Sequence, residues 1–313
     1  MTAPIVPILP ETIALAAEIL SEGGLVAIPT ETVYGLAADA ANPEAIARLY
    51  EAKGRPRFNP LIAHVSSWEM AEREAAFSPL ARTCAEAFWP GPLTLVLPAR
   101  EDGRVVDLAR AGLGTLALRW PKQRAATALI EVFGRPLVAP SANRSGHISP
   151  TRAEHVAEDL GERISLILDG GPCDVGMESS ILGFEDDEPV LLRPGGLPTE
   201  MIADRLGKRV RAYGGHARIN APGQLKSHYA PKARLRLNAA APEDDEGFLA
   251  FGSFVPGDLS LSTRGDLVEA AANLFEMLRS LDTRFERIAV SPIPGTGLGE
   301  AINDRLERAA YRE

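Results

Sequence analysis

Short polar runs, each set at the end of an apolar run, hold most of the side chains in this sequence that could do chemistry. Pro29-Thr30-Glu31-Thr32-Val33-Tyr34-Gly35-Leu36 puts two hydroxyls and a carboxylate directly after the apolar Leu25–Ile28. Lys53-Gly54-Arg55-Pro56, followed by Asn59-Pro60, puts two cations at the end of an amphipathic stretch. There lysine would act on a phosphate as a point charge and arginine as a bidentate fork. His64 closes the next apolar run. Ala139-Pro140-Ser141-Ala142-Asn143, with Ser145, Ser149 and Thr151 close behind, offers hydroxyls and backbone amides suited to anionic oxygens. Arg119 and Arg193 end the runs LALR and LLR. With Lys53 and Arg55 they form a cationic group able to hold a triphosphate and a carboxylate together. Singly, each fragment also reads as ordinary structure: a hydroxyl-satisfied turn, cations complementing a helix C-terminus, or a capped helix start. What they share is placement at strand ends, where open α/β sheets seat ligands.

Other signatures are missing. There is no GxxxxGK[ST] phosphate loop, no GxSxG elbow and no HExxH, and the five histidines show no metal-ligand spacing. Gly295-Thr296-Gly297-Leu298-Gly299 approaches a dinucleotide fingerprint with its third glycine one residue early, and reads better as a helix N-cap turn.

The elements that must position these residues alternate. Helices are predicted over Pro10–Glu22, Pro43–Lys53, Pro79–Phe88, Gln123–Phe133, Arg152–Leu160 and Thr199–Leu206. Strands are predicted over Leu25–Ile28, Leu61–Val65, Leu93–Leu97, Thr115–Trp120, Leu137–Ala139, Ile164–Leu168, Ser180–Phe184 and Val190–Arg193. Several strands follow one another without a helix between them, which predicts an α/β domain with a mixed sheet. Gly207 to Pro231 lacks periodicity and reads as an ordered linker. Beyond it, Arg234–Leu237, Phe248–Phe251 and Ile288–Val290 read as strands, and Asp266–Leu281 and Leu298–Ala310 as helices, giving a small second α/β domain. The expected division is 1–206, 207–231 and 232–313.

Composition sets the outer limits. The chain has 313 residues, 45% hydrophobic and 24% charged, enough for packed cores in two domains. No apolar run approaches the ~18–20 residues of a membrane helix. The first twenty residues have no basic segment and carry Glu11, which argues against a signal peptide. Cys84 and Cys173 cannot build a disulfide framework or a four-ligand zinc site, so a reducing cytoplasmic setting is expected. A net charge of −9 argues against a protein that coats nucleic acid. Against that acidity, residues 208–236 carry eight Lys/Arg and no Asp or Glu. Such a segment faces either water or an anion.

In order, PTETVYGL (29–36), Lys53-Gly54-Arg55, NPLIAHV (59–65), WPGPLTLVL (89–97), LALRWP (116–121), APSAN (139–143), SPT (149–151), DGG (169–171), ESSI (178–181) and LLRPG (191–195) resemble the threonylcarbamoyl-AMP synthase family, the YrdC-like enzymes of tRNA modification. His228-Tyr229-Ala230-Pro231 and GLGEAINDRLERAA (297–310) are similar to that family's longer two-domain form. Gln224, Leu225 and Ser180 depart from its pattern. The resemblance implies a YrdC-like twisted open mixed sheet with flanking helices, plus a smaller Rossmann-like C-terminal domain. It implies a reaction in which L-threonine, bicarbonate and ATP, with Mg²⁺, give threonylcarbamoyl-AMP and pyrophosphate. A separate complex would then transfer the threonylcarbamoyl group to position 37 of tRNA, with no direct tRNA binding or membrane contact expected of this chain. By matched position, Lys53, Arg55, Ser141 and Asn143 would be the catalytic set. Arg55, Asn59, Thr115, Ser141, Ser149, Arg193, His228 and Tyr229 would hold ATP. Thr32, His64, Arg119, Ala139 and Ser179 would hold threonine. No protein metal ligands are implied, and the basic linker would act as a lid. The competing expectations are an RNA-binding module, a carbamoyl-phosphate-using enzyme sharing the domain, or a non-catalytic adenylate-binding regulator.

Overall fold

A computed structural model describes residues 2–186, 188–212, 228–252 and 259–311. The first unit runs β1 (Ile5–Pro7), α1 (Pro10–Ser21), β2 (Val26–Ile28), β3 (Gly35–Asp39), α2 (Pro43–Lys53), β4 (Ile62–His64), α3 (Trp68–Glu74), α4 (Pro79–Phe88) and β5 (Leu93–Pro98). It continues α5 (Asp107–Arg110), β6 (Thr115–Arg119), α6 (Arg124–Phe133), β7 (Leu137–Val138), α7 (Ala153–Leu160), β8 (Leu166–Asp169), β9 (Ser180–Glu185), β10 (Glu188–Arg193), α8 (Thr199–Leu206) and β11 (Arg211–Ala212). The second unit is β12 (Arg234–Arg236), β13 (Glu246–Ala250), β14 (Leu259–Ser260), α9 (Leu267–Asp282), β15 (Arg287–Val290) and α10 (Leu298–Ala310).

Among the described residues, the first sheet has eleven strands in the order β1-β8-β2-β3-β7-β4-β6-β5-β9-β10-β11. It is mixed, as expected: β4 and β6 are parallel, whereas β3 and β4 both run antiparallel to β7 between them. The second sheet, β12-β15-β13-β14, is parallel throughout, with α9 and α10 packed together beside it.

Local chemistry explains the helix ends. Asn42 caps α2 by accepting from the Glu44 and Ala45 amides, Pro43 fits the first turn, and Gly54 leaves in the left-handed conformation at φ 61°. Asp266, expected inside α9, is its N-cap. Gly297, at φ 56°, is the N-cap of α10, so the near-miss glycine run is a helix start.

Among the described residues, three buried clusters flank the first sheet. Tyr34, Leu36, Leu49, Leu93 and Leu95 belong to one, Ile13, Leu20, Leu129 and Ile130 beneath α1 and α6 to a second, and Ile62, Val96, Ile181 and Val190 to a third. The second unit's core (Leu274, Phe275, Leu278, Ile288, Ile302, Leu306) also takes in Val33, Ile148 and Met177 from the first. Gly176 lies so close to α9 that an added Cβ would fall 2.4 Å from the Cα of Ala272.

Two expectations change. The predicted linker begins as sheet, because β11 pairs parallel with β10 through Val190 and Leu191. A two-residue edge strand leaves no periodicity to read. Residues 213–227, with the lid expectation and the Gln224 and Leu225 departures, lie outside the described residues. In addition, β3 forms where a turn alone was expected.

Candidate active site

The strand ends deliver the site. Register between β4 and β6 sets His64 opposite Arg119, one strand spacing apart. A bulge in β10 between Leu191 and Arg193 puts Arg193 opposite Ile181. Such bulges re-aim a side chain. A bridge from Gly35 to Ser141 draws the loop after β7 over the same end of the sheet.

These residues surround a narrow cleft with a free volume of about 50 Å³. Thr32, Arg55, His64, Arg119, Ala139, Ser141, Ser179, Arg193, His228 and Tyr229 line it, with Val33, Leu61, Ile62 and Pro140 as apolar wall. Lys53, Asn59, Asn143 and Ser149 are buried outside that lining. Lys53 Nζ donates to the Ser141 and Asn143 carbonyls, so it holds the loop that carries Ser141. Asn143 donates to the Arg144 and His147 carbonyls within the same loop. Neither amide atom of the fully buried Asn59 has a partner among the described residues. Thr115 lies apart from the cleft's lining. It starts β6 while Arg119 ends it, which separates them by about 13 Å at strand rise, and it lines a different groove with Phe77 and Phe184.

Each cation is fixed by a partner. Arg119 donates to Glu31 at 2.7 Å, to Thr32 Oγ1 at 2.8 Å and to the Gly91 carbonyl at 3.2 Å. Arg193 donates to the Ser179 carbonyl, and Arg55 to the carbonyls of Asn59 and Pro60. Burial, ahead of the like charge of Arg193, pulls the Arg55 guanidinium down to about 10, so it stays protonated at neutral pH. Burial alone would raise Glu31, but Arg119 outweighs it and holds the carboxyl below its usual value. Glu178 is held low in the same way by Arg305 and Arg193 against burial.

His64 is the opposite case. Burial, then the Arg119 charge, pushes its imidazolium from an ordinary 6.5 to about 3. Nδ1 lies 3.1 Å from the Ile62 carbonyl, which assigns the proton to that nitrogen and leaves Nε2 an acceptor. The folded state therefore binds fewer protons than the unfolded chain between about pH 6.5 and 3. Stability from burying this ring is complete above 6.5 and falls as pH drops through that window. Urea unfolding at about pH 7.5, 6 and 5 should show the parent losing more stability on acidification than His64→Gln, and parallel losses would refute the assignment.

Glu31, Glu178 and Arg305 were not foreseen as site residues. Glu31 and Glu178 lay inside motifs singled out for other members. Arg305 carried a readable signal: it interrupts the apolar stripe Ile302, Leu306, Ala309 of α10.

Fold and site define the class, a two-unit α/β protein with an arginine-lined, partly apolar cleft for small anionic substrates. The Sua5–YciO–YrdC family profile, described as "Telomere recombination", matches residues 18–195, and the profile "Threonylcarbamoyl-AMP synthase, C-terminal domain" matches residues 197–311. The chain belongs to this family, in its two-unit form. It is 42% identical over 322 residues to the threonylcarbamoyl-AMP synthase of Bacillus subtilis, covering 95% of this chain and 92% of that protein. The corresponding synthase of Pyrococcus abyssi is 43% identical over 325 residues, covering 96% and 94%. The crystal structure of P. abyssi Sua5 complexed with L-threonine matches with a TM-score of 0.91 at 39% identity, covering 98% of both chains.

Proposed function

We propose that this chain is a threonylcarbamoyl-AMP synthase, converting L-threonine, bicarbonate and ATP to threonylcarbamoyl-AMP and pyrophosphate by nucleotidyl transfer. The observation that carries the reading is Arg119, braced by Glu31 and Thr32 beside a neutral His64 in a cleft otherwise edged by Arg55 and Arg193. Arg119 is the carboxylate partner for threonine, and the acceptor Nε2 of His64 faces a donor group of the same substrate. Arg55, Arg193 and Ser141 take the phosphates, with His228 and Tyr229 closing that side and Asn59 and Ser149 behind them.

The threonine amine adds to the bicarbonate carbon with loss of water. One oxygen of the resulting carbamate then attacks the α-phosphorus as the bond to pyrophosphate breaks. No side chain need become covalently attached, so these residues act by positioning and by stabilising charge. Magnesium enters as the ion of MgATP. Among the described residues no three His, Cys, Asp or Glu side chains gather as a metal site, and Glu31 and Glu178 are both paired to arginines. Arg55 and Ser141 would hold the phosphates that carry the ion, which would supply charge neutralisation on the leaving pyrophosphate. The product passes to a separate transferase acting on position 37 of tRNA, in the cytoplasm. Among the described residues no helix is long and apolar enough to cross a membrane.

The test is ATP-dependent incorporation of ¹⁴C-bicarbonate into an adenylate, with and without L-threonine, alongside pyrophosphate release. The expected result is threonine-dependent label that disappears in Arg55→Ala. Label that ignores threonine would assign another amine, and no label with nucleotide still bound would assign a binding role.

A further inference from the structure

One charged group near the cleft has no part in the reaction described above. Arg305, on α10 of the second unit, is fully buried. Its Nε donates to Glu178 at 2.8 Å and its Nη2 to the Pro194 carbonyl at 2.9 Å. Its Nη1 donates to Asp304, which also holds Arg308. The guanidinium lies 4.9 Å from the centre of the Tyr229 ring. Glu178 in turn accepts from Ser149 on its other oxygen, and it faces the cleft. The Arg308 carbonyl accepts the backbone amide of His228 at 3.4 Å. One helix of the second unit therefore touches Glu178, the residue next to Arg193, and both His228 and Tyr229.

A buried ion pair is a poor device for stability alone, because apolar residues of similar volume often serve as well. Here its place matters. Glu178 sits among the groups assigned to the phosphates, and an uncompensated carboxylate there would repel a polyphosphate. Ser149 gives its one hydroxyl proton to that carboxylate, which leaves the serine oxygen as an acceptor, and Arg305 holds the carboxylate.

We propose that Arg305 is a positioning residue for the phosphate side of the cleft: it neutralises Glu178 and fixes it, and through it Ser149, from the second unit. The ligand's identity rests on the synthase reading. The geometry of the pair does not.

The test compares the parent, Arg305→Met, Glu178→Gln and the double variant. Each is titrated calorimetrically with MgATP and with inorganic pyrophosphate, and assayed for kcat and both KM values. Arg305→Met is expected to weaken MgATP about tenfold and to lower kcat/KM about a hundredfold, while the KM for threonine moves less than about threefold. The double variant is expected to recover most of the lost MgATP affinity, because it removes the charge left bare. Parent-like MgATP binding in Arg305→Met, or a double variant no better than the single, would overturn the proposal. Should the methionine variant not fold, Arg305→Gln is read by the same criteria. A parent that binds MgATP but releases no pyrophosphate with threonine would overturn the synthase reading, while the binding comparison still decides the role of Arg305. A parent that binds neither ligand would overturn both.

Discussion

Arg119→Ala is expected to cut kcat/KM for threonine by orders of magnitude while leaving MgATP affinity within about threefold of the parent, since its lost contacts lie at the carboxylate end of the cleft. Two effects add. The substrate carboxylate loses its cationic partner, and Glu31, itself buried, loses the charge that keeps it ionised. Truncating one partner of a hydrogen-bonded charge pair buried between protein and ligand costs about 2–5 kcal/mol. At about 1.4 kcal/mol per tenfold, that corresponds to a loss of roughly 30- to 4,000-fold in kcat/KM for threonine. Arg119→Lys should rescue little, because one ammonium cannot reach Glu31, Thr32 Oγ1 and the Gly91 carbonyl in the fork geometry of the guanidinium. Steady-state kinetics with threonine and ATP varied separately checks this. An equal loss for both substrates would mean general collapse of the cleft and would remove Arg119 from the threonine side.

Lys53→Met is the second large effect, and its mechanism includes more than the one the sequence implies. The resemblance makes Lys53 a phosphate ligand; in the structure two of its three N–H donors also go to the carbonyls of Ser141 and Asn143. Burial, then the like charge of Arg55, holds its pKa well below the usual lysine value. The Ser145 amide returns a hydrogen bond of 2.8 Å to the Lys53 carbonyl, so the end of α2 and the loop after β7 are tied in both directions. Methionine keeps the volume and strips two buried carbonyls of their donor, at about 1–3 kcal/mol each. The expected result is a lower urea midpoint together with a loss of about 10² or more in kcat/KM for ATP, as Ser141 drifts from the phosphates. A stability loss with unchanged ATP kinetics would show that the loop holds its shape without the lysine.

The sequence made the site legible as a set of strand ends. His64, Arg119, Ala139 and Arg193 each close an apolar run; β4, β6 and β10 run the same way and bring three of these ends to one edge, whereas β7 runs against β4 and Ala139 reaches the cleft beside Ile62 because the strands are short. It did not make the counter-charges legible. Glu31 meets Arg119 across 88 positions and Glu178 meets Arg305 across 127, and no local pattern encodes a pairing at that separation. Strand β3 escaped notice because Gly35-Leu36-Ala37-Ala38-Asp39 is made of small and turn-forming residues. It is a strand because β2 and β7 flank it, an effect of tertiary context over propensity. Thr115 lies apart from Arg119 for a simpler reason: a motif reads as one patch along the chain, but a strand spreads its two ends apart.

The shared core of the two units has a thermodynamic consequence. Val33 lines the cleft and Ile148 precedes Ser149 in the chain, yet both pack with Leu274, Phe275 and Leu306 of the second unit. Gly176 against Ala272 leaves no gap along which the halves could part. Unfolding either half strips apolar cover from the other, so the two are expected to melt in a single calorimetric transition. Whatever binds in the cleft then shifts the opening equilibrium of both halves, and slowed hydrogen exchange should extend to the amides of α10.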